Sequence, residues 1–461
     1  MSRFIPNDTK ETKERIIREI GIQKIEDLFS DMPKETRLHK PLTLPSSLSE
    51  LEMRREVETI LRKNRTVKDY VSFLGGGIWS HYVPAAVDEV SSRSEFLTSY
   101  TPYQPEVSQG LLQALFEYQS MICELLDMDV ANCSMYDWAS SLGEAARMAA
   151  RVAKRNEFLI PHYISPERAN VLRTYAEPAG IRVKELKQNR RDGQIDLEDL
   201  KEKVSENTAG VYIENPSYLG FLVSSVEEVA EIIHENGALF VVGVDPASLG
   251  LLKPPGCYGA DIVIGEGQPL GNYMNAGGPL LGIFACRDEI SLIRNMPGRI
   301  IGMTTQNGQR KAFCMAIQTR EQHIRRQKAT SNICTNEALC AVRAAAYMAL
   351  LGPQGFRELA EIILANTSYA IKKLSEIHGL TVPFFEAPHF KEFTVHFDCA
   401  PEMSGKIREH LLERRIIGGK PLSQEFPELG ATYLYCVTEM HTAEDIDRLA
   451  SELKNLMEDW A

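Results

Sequence analysis

The stretch VVGVDPAS, residues 241–248, is where chemistry can begin in this chain. An apolar run ending in an acid places the Asp245 carboxylate at the carboxyl edge of a sheet, where open α/β folds bind ligands. The simpler role for such a residue is to cap the turn that Pro246 begins. Two neighbours weigh against that. SSLGEAARMAAR (140–151) reads as a small-residue turn opening a helix, with Ser141 and Gly143 where backbone N–H groups can face a phosphate. ENPSYLG (214–220) follows another strand end and can hold the edge of an aromatic ligand.

Such groups need a sheet to hold them. FLI (158–160), IRVKEL (181–186), GVYIE (210–214), ALFVVGV (238–244), DIVIG (261–265) and LLGIFA (280–285) read as strands. Helical stretches such as SSVEEVAEIIHENG separate several of them. Apolar strands alternating with helices predict a largely parallel sheet covered on both faces. The spacing of Leu111, Leu115, Tyr118, Ile122 and Leu125 predicts a long amphipathic helix over 106–126. Ser49 and Glu52 form an S-x-x-E capping box ahead of a helix, and the proline-rich stretch 33–48 reads as an extended arm. Further on, the pattern predicts a helix over 328–352 and others near 355–377 and from Thr442, with strands near 392–397 and 433–438. The expected division is a helical extension (1–70), a large domain (71–352) and a smaller C-terminal α/β domain (353–461).

Composition narrows the function classes. The chain has 461 residues and a net charge of −12, which argues against nucleic acid or an anionic membrane as partner. The N-terminus lacks a secretory pattern, and no stretch approaches the roughly 20 apolar residues of a spanning helix. Nine cysteines without a C-x-x-C pair predict reduced thiols in a cytoplasmic protein, and no metal site.

Strand-end acid, phosphate turn and large-plus-small domains together resemble fold type I pyridoxal-phosphate enzymes. The resemblance implies that Asp245 faces the pyridinium nitrogen, so that the ring can act as an electron sink. It also implies a lysine downstream to hold the cofactor covalently. Here the sequence departs from the pattern: no lysine stands between Lys253 and Lys311. The run GADIVIGEGQPLGNYMNAGGPLLG (259–282) resembles the lysine loop, and aligning on Gly277, Gly278 and Pro279 puts Gln268 at the lysine's place. Lys253, ahead of two prolines, reads as a surface turn residue. Without the amine, condensation with an amino acid cannot begin on this chain.

Three further stretches carry a closer resemblance. SHYVPAAV (80–87), YTPYQPEVSQGLLQALFEYQ (100–119) and QTREQHIRRQKATSNICTNEA (318–338) are similar to signature segments of the glycine cleavage P-protein, or glycine decarboxylase. The likeness runs over nearly the whole chain. Some bacteria and archaea split that enzyme into two homologous subunits, so the missing lysine implies the cofactor-free one. The resemblance then implies pyridoxal phosphate on the partner, subunit 2, with glycine as substrate. It also implies transfer of the aminomethyl group to the lipoyl arm of the H-protein.

Tyr100, Tyr103 and Gln104 either form a proline-stiffened helix start or line the partner's pocket, as subunit-interface sites of fold type I imply. His81, beside Trp79 and Tyr82, reads as a hydrogen-bonded packing residue; Arg320, Arg325, Arg326 and Lys328 around His323 form either a solvated helix face or partners for carboxylates across an interface. Two rival readings remain: an active enzyme with an unexpected lysine, and a scaffold or regulator outside glycine metabolism.

Overall fold

The computed structural model describes residues 5, 8–38, 40, 42–99, 102–275, 278–306, 308, 310–333, 335–399 and 403–460. It comprises two compact units, Met1–Arg65 and Thr66–Ala461. The first holds helices α1 (Lys10–Ile20) and α2 (Glu50–Leu61). The capping box opens α2 as expected: Ser49 Oγ accepts from the Glu52 N–H, and the Glu52 carboxylate accepts from the Ser49 N–H at 2.8 Å. Neither helix buries a residue.

The second unit is built on a seven-stranded sheet. Its strands are β1 (Val130–Ala131), β2 (Glu157–Pro161), β3 (Arg182–Leu186), β4 (Thr208–Glu214), β5 (Leu239–Val244), β6 (Ile262–Glu266) and β7 (Gly282–Cys286). They lie in the order β1-β7-β6-β5-β4-β2-β3. Strands β6, β5, β4, β2 and β3 run parallel, while β7 is antiparallel to both β6 and β1. Successive residues point to opposite faces. Val211, Ile213, Val242, Val244 and Val263 therefore enter one apolar cluster, and Tyr212, Val241, Ile262 and Ile264 the other.

Helices α3 (Gln109–Leu126), α4 (Trp138–Ala153), α5 (Pro166–Ala176) and α6 (Val226–Glu235) cover these faces. α3 buries Leu111, Leu115, Tyr118 and Ile122, as the spacing predicts, whereas Leu125 is half-buried and Leu126 takes the buried place. It starts later than expected, because Pro105–Val107 forms a separate 3₁₀ turn and Ser108 (φ −118°) interrupts the helix.

An antiparallel hairpin of β8 (Ile300–Gln306) and β9 (Arg310–Ala316), unforeseen in the sequence, follows. Helix α7 (Ala338–Ser375), broken at Gly352, begins ten residues after the predicted start at 328. In that stretch Ser331 Oγ donates to Glu144 and Asn336 Nδ2 to Ser134, side-chain bonds that compete with helix formation. The C-terminal sheet is antiparallel, in the order β10 (Leu380–Thr381), β11 (Glu392–Phe397), β13 (Thr432–Cys436), β12 (Lys420–Pro421), and α8 (Ala443–Trp460) closes the chain. No described helix is long and apolar enough to cross a membrane.

Candidate functional site

Three acids stand at the carboxyl ends of three neighbouring parallel strands: Glu214 ends β4, Asp245 follows β5 and Glu266 ends β6. All three are buried, and a buried carboxylate needs a partner or a proton. Each meets that need differently.

Glu214 pairs with Arg168 of α5 at 2.7 Å and accepts from the Tyr212 hydroxyl at 2.9 Å. The Arg168 guanidinium lies 3.6 Å from the centroid of the Trp138 ring, and Trp138 Nε1 donates to the Tyr212 hydroxyl at 2.9 Å. Cation, ring and carboxylate thus form one closed stack.

Asp245 caps the turn after β5, with Oδ1 accepting from the Ala247 N–H at 3.1 Å. Its Oδ2 lies 2.6 Å from Lys391 Nζ, and the two side chains are 6% and 1% exposed. Lys391 immediately precedes β11, so a residue of the C-terminal sheet reaches the edge of the seven-stranded one. Its ammonium is 3.5 Å from the Trp79 ring centroid and 3.2 Å from His81 Nε2. A lysine ammonium can only donate. The His81 proton therefore sits on Nδ1 and donates to Glu439 at 2.9 Å. His81 is hydrogen-bonded as expected of a packing residue, within an ionic network that the sequence did not suggest.

Glu266 pairs with no cation among the described residues. Its Oε1 accepts from the N–H groups of Gln268 (3.0 Å) and Leu281 (2.9 Å), and Oε2 from that of Trp138 (3.3 Å). Burial outweighs these bonds and pushes its pKa up to about 7.

Gln268 follows within two residues. Its Oε1 accepts from the Trp79 N–H at 3.1 Å, while Nε2 donates to the Trp79 carbonyl at 3.0 Å and the Asn272 carbonyl at 2.8 Å. The segment around Trp79 is held further by Gly76 N–H on Glu392 (2.6 Å) and Tyr82 N–H on Glu439 (2.7 Å).

Ser141 and Gly143 lie inside the first turns of α4, not in a turn before it. Asp137 caps this helix, accepting from the Ser140 N–H at 2.6 Å, and Ser141 Oγ donates to the Asp137 carbonyl. Gly143 permits close packing: a Cβ there would come 2.6 Å from Tyr175 Cγ.

Tyr100 lies outside the described residues, as does Gly277. Gln104 is exposed, and Tyr103 is 42% exposed. Arg299 Nη2 donates to the Tyr103 hydroxyl at 2.9 Å, and the His323 ring meets the Tyr103 ring edge-on at 5.7 Å. Two of the signature segments, distant in sequence, are thereby brought together. The basic run is only partly a solvated face. Arg325, Arg326 and Lys328 are exposed, but Arg320 is buried and donates to the carbonyls of Met296, Gly298 and Ile317. Lys253 is a surface residue paired with Glu227 at 3.0 Å. Among the described residues no His, Cys, Asp and Glu cluster could hold a metal ion.

Sequence reasoning missed Lys391, Arg168 and Glu266. In PHFKEFTV, a lysine beside a strand reads as an edge residue, and only the fold places it against Asp245.

The parallel sheet with its strand-end acids, joined to a C-terminal antiparallel sheet, is the fold type I architecture of pyridoxal-phosphate-dependent enzymes. A family model described as glycine cleavage system P-protein matches residues 2–453, and the chain belongs to that family. A relative in Staphylothermus marinus, "Probable glycine dehydrogenase (decarboxylating) subunit 1", is 49% identical over 98% of both chains. One of the same description in Thermococcus onnurineus is 51% identical over 98% of this chain and 99% of its own. A crystal structure of glycine decarboxylase (P-protein) in inhibitor-bound form superposes with a TM-score of 0.87, at 40% identity over 99% of this chain and 100% of that one. Sphingosine-1-phosphate lyase of Burkholderia pseudomallei is 13% identical over 92% of this chain and 93% of its own; at a TM-score of 0.66 it shares the fold.

Proposed function

We propose that this chain is the lysine-less subunit of a heteromeric glycine decarboxylase and that it completes and supports a homologous, lysine-bearing subunit. The complex decarboxylates glycine and passes the aminomethyl group to the lipoyl arm of the H-protein. Pyridoxal phosphate, carried by the partner, supplies the electron sink for loss of carbon dioxide.

The observation that carries the reading is Gln268. It stands in the lysine loop, and its amide is committed to the Trp79 backbone and the Asn272 carbonyl. The groups around it do not suit the cofactor either. Asp245 is already neutralised by Lys391, and the first turn of α4 already carries the Asp137 and Glu266 carboxylates. A phosphate placed there would meet two acids.

What this chain offers is surface. Tyr103, fixed by Arg299 and edged by His323, presents an aromatic face held in one orientation. Leu51, Val57, Ile60 and Leu61 form an exposed apolar stripe on α2. Apolar stripes of this kind are covered in obligate assemblies, whose interfaces run to about 2,000 Å² or more. We assign this covering to subunit 2, in a pair of heterodimers in the cytoplasm.

The test is reconstitution. The chain alone, incubated with pyridoxal phosphate and freed of excess, retains no cofactor absorbance and releases no carbon dioxide from glycine. With the lysine-bearing homologue it co-elutes in gel filtration, and the mixture exchanges carbon dioxide with glycine in the presence of H-protein. A stable monomer that ignores the homologue would overturn the reading.

A further inference from the structure

The buried pair Lys391–Asp245 joins two residues 146 positions apart and is nearly sealed from solvent. Moving two charges out of water is costly, and removing only one partner is costlier still. Lys391 also adopts φ 60°, a left-handed conformation uncommon for a lysine. Strain and desolvation are thus spent together to bring one ammonium to one carboxylate. Trp79 covers that ammonium with its ring, and His81 fixes it from the side.

On the adjoining strand end, Glu266 accepts the N–H of Trp138 in the first turn of α4. A helix N-terminus at the edge of a parallel sheet attracts an anion. Here the acceptor is a carboxyl group of the chain itself.

We propose that Lys391 and Glu266 are built-in substitutes for the two charged ends of the absent cofactor. The Lys391 ammonium replaces a protonated pyridine nitrogen against Asp245, and the Glu266 carboxyl group takes the N–H of the first turn of α4 that a phosphate would use. Gln268 fills the place of the anchoring amine by bonding the Trp79 backbone. The pocket is therefore self-filled, closed to pyridoxal phosphate, and it ties the C-terminal sheet to the central one without a ligand. This deepens the functional reading above by stating how a subunit without the cofactor keeps a cofactor enzyme's fold.

The experiment uses the full chain alone, so it reads independently of whether the chain joins a glycine-cleaving complex. Thermal midpoints are measured for wild type, Lys391→Met, Asp245→Asn and the double variant. Both single substitutions lower the midpoint, and the double variant loses less than Lys391→Met. A double variant that loses the sum of the two singles would overturn the pairing. Equilibrium dialysis against pyridoxal phosphate is the second arm. Wild type takes up none, Lys391→Ala/Glu266→Gln gains saturable uptake, and adding Asp245→Asn removes it. Stoichiometric uptake by wild type, or a folded Lys391→Ala/Glu266→Gln variant with no uptake, would overturn the substitution.

Discussion

Gln268 and Trp79 are joined at two points: the side-chain amide of one accepts from and donates to the main chain of the other, at 3.1 and 3.0 Å. This pairing works like one rung of a sheet ladder, and it fixes the segment that carries the Trp79 ring to Lys391.

Gln268→Lys therefore does not restore an enzyme. A lysine supplies no acceptor for the Trp79 N–H and places a second ammonium in a sealed site. Loss of the buried bonds costs about 3 kcal/mol or more. Chemical denaturation will detect that loss, and incubation with pyridoxal phosphate will give no Schiff-base absorbance and no decarboxylation. A yellow, active variant would contradict the arrangement.

Tyr103→Phe removes the bond from Arg299 while keeping the ring beside His323. Turnover of the assembled complex should fall by up to about tenfold, the worth of one hydrogen bond. Cofactor content on the partner should not change. Steady-state decarboxylation together with a cofactor assay separates these outcomes. Wild-type turnover would mean that this tyrosine lends nothing to the partner.

Glu266 sets a pH dependence. Its folded pKa, about 7, lies above the ordinary carboxyl value, so the folded chain holds a proton that the unfolded chain has released. Stability contributed by this group is undiminished below the unfolded pKa of about 4.3 and declines as the pH rises toward 7. The full penalty is ~4 kcal/mol. Glu266→Gln, a mimic of the protonated form, should flatten unfolding free energy between pH 5 and 8. An unchanged slope over that window would refute the assignment.

Arg168→Met leaves Glu214 buried without its cation and strips Trp138 of its covering charge. The expected loss is about 3–5 kcal/mol, and Arg168→Met/Glu214→Gln should recover part of it. Urea unfolding of both variants checks this.

Most of the central sheet was legible because β2, β4, β5, β6 and β7 are largely apolar runs; the two-residue β1 was not, being too short to show a pattern. Asp245 was legible as the acid that follows one such run. The β8–β9 hairpin was not, since IIGMTTQ mixes glycine and threonines with no clean alternation. The start of α7 was overcalled because side-chain bonds of Ser331 and Asn336 are tertiary facts. Lys391 and Arg168 escaped for a deeper cause. A cation beside an apolar stretch looks solvated until the fold supplies its acid from far along the chain.

The Asp245–Lys391 pair also constrains how this protein can change. Regaining a cofactor site requires an amine at position 268, removal of the lysine at 391 and release of the acid at 266. The first two steps taken alone each strand a buried charge or break the hold on Trp79, and the third leaves three buried N–H groups without their acceptor. A lineage that has installed this plug cannot retrace its route one substitution at a time. The loss of chemistry behaves as a ratchet, and selection can act on this chain only through what it does for another.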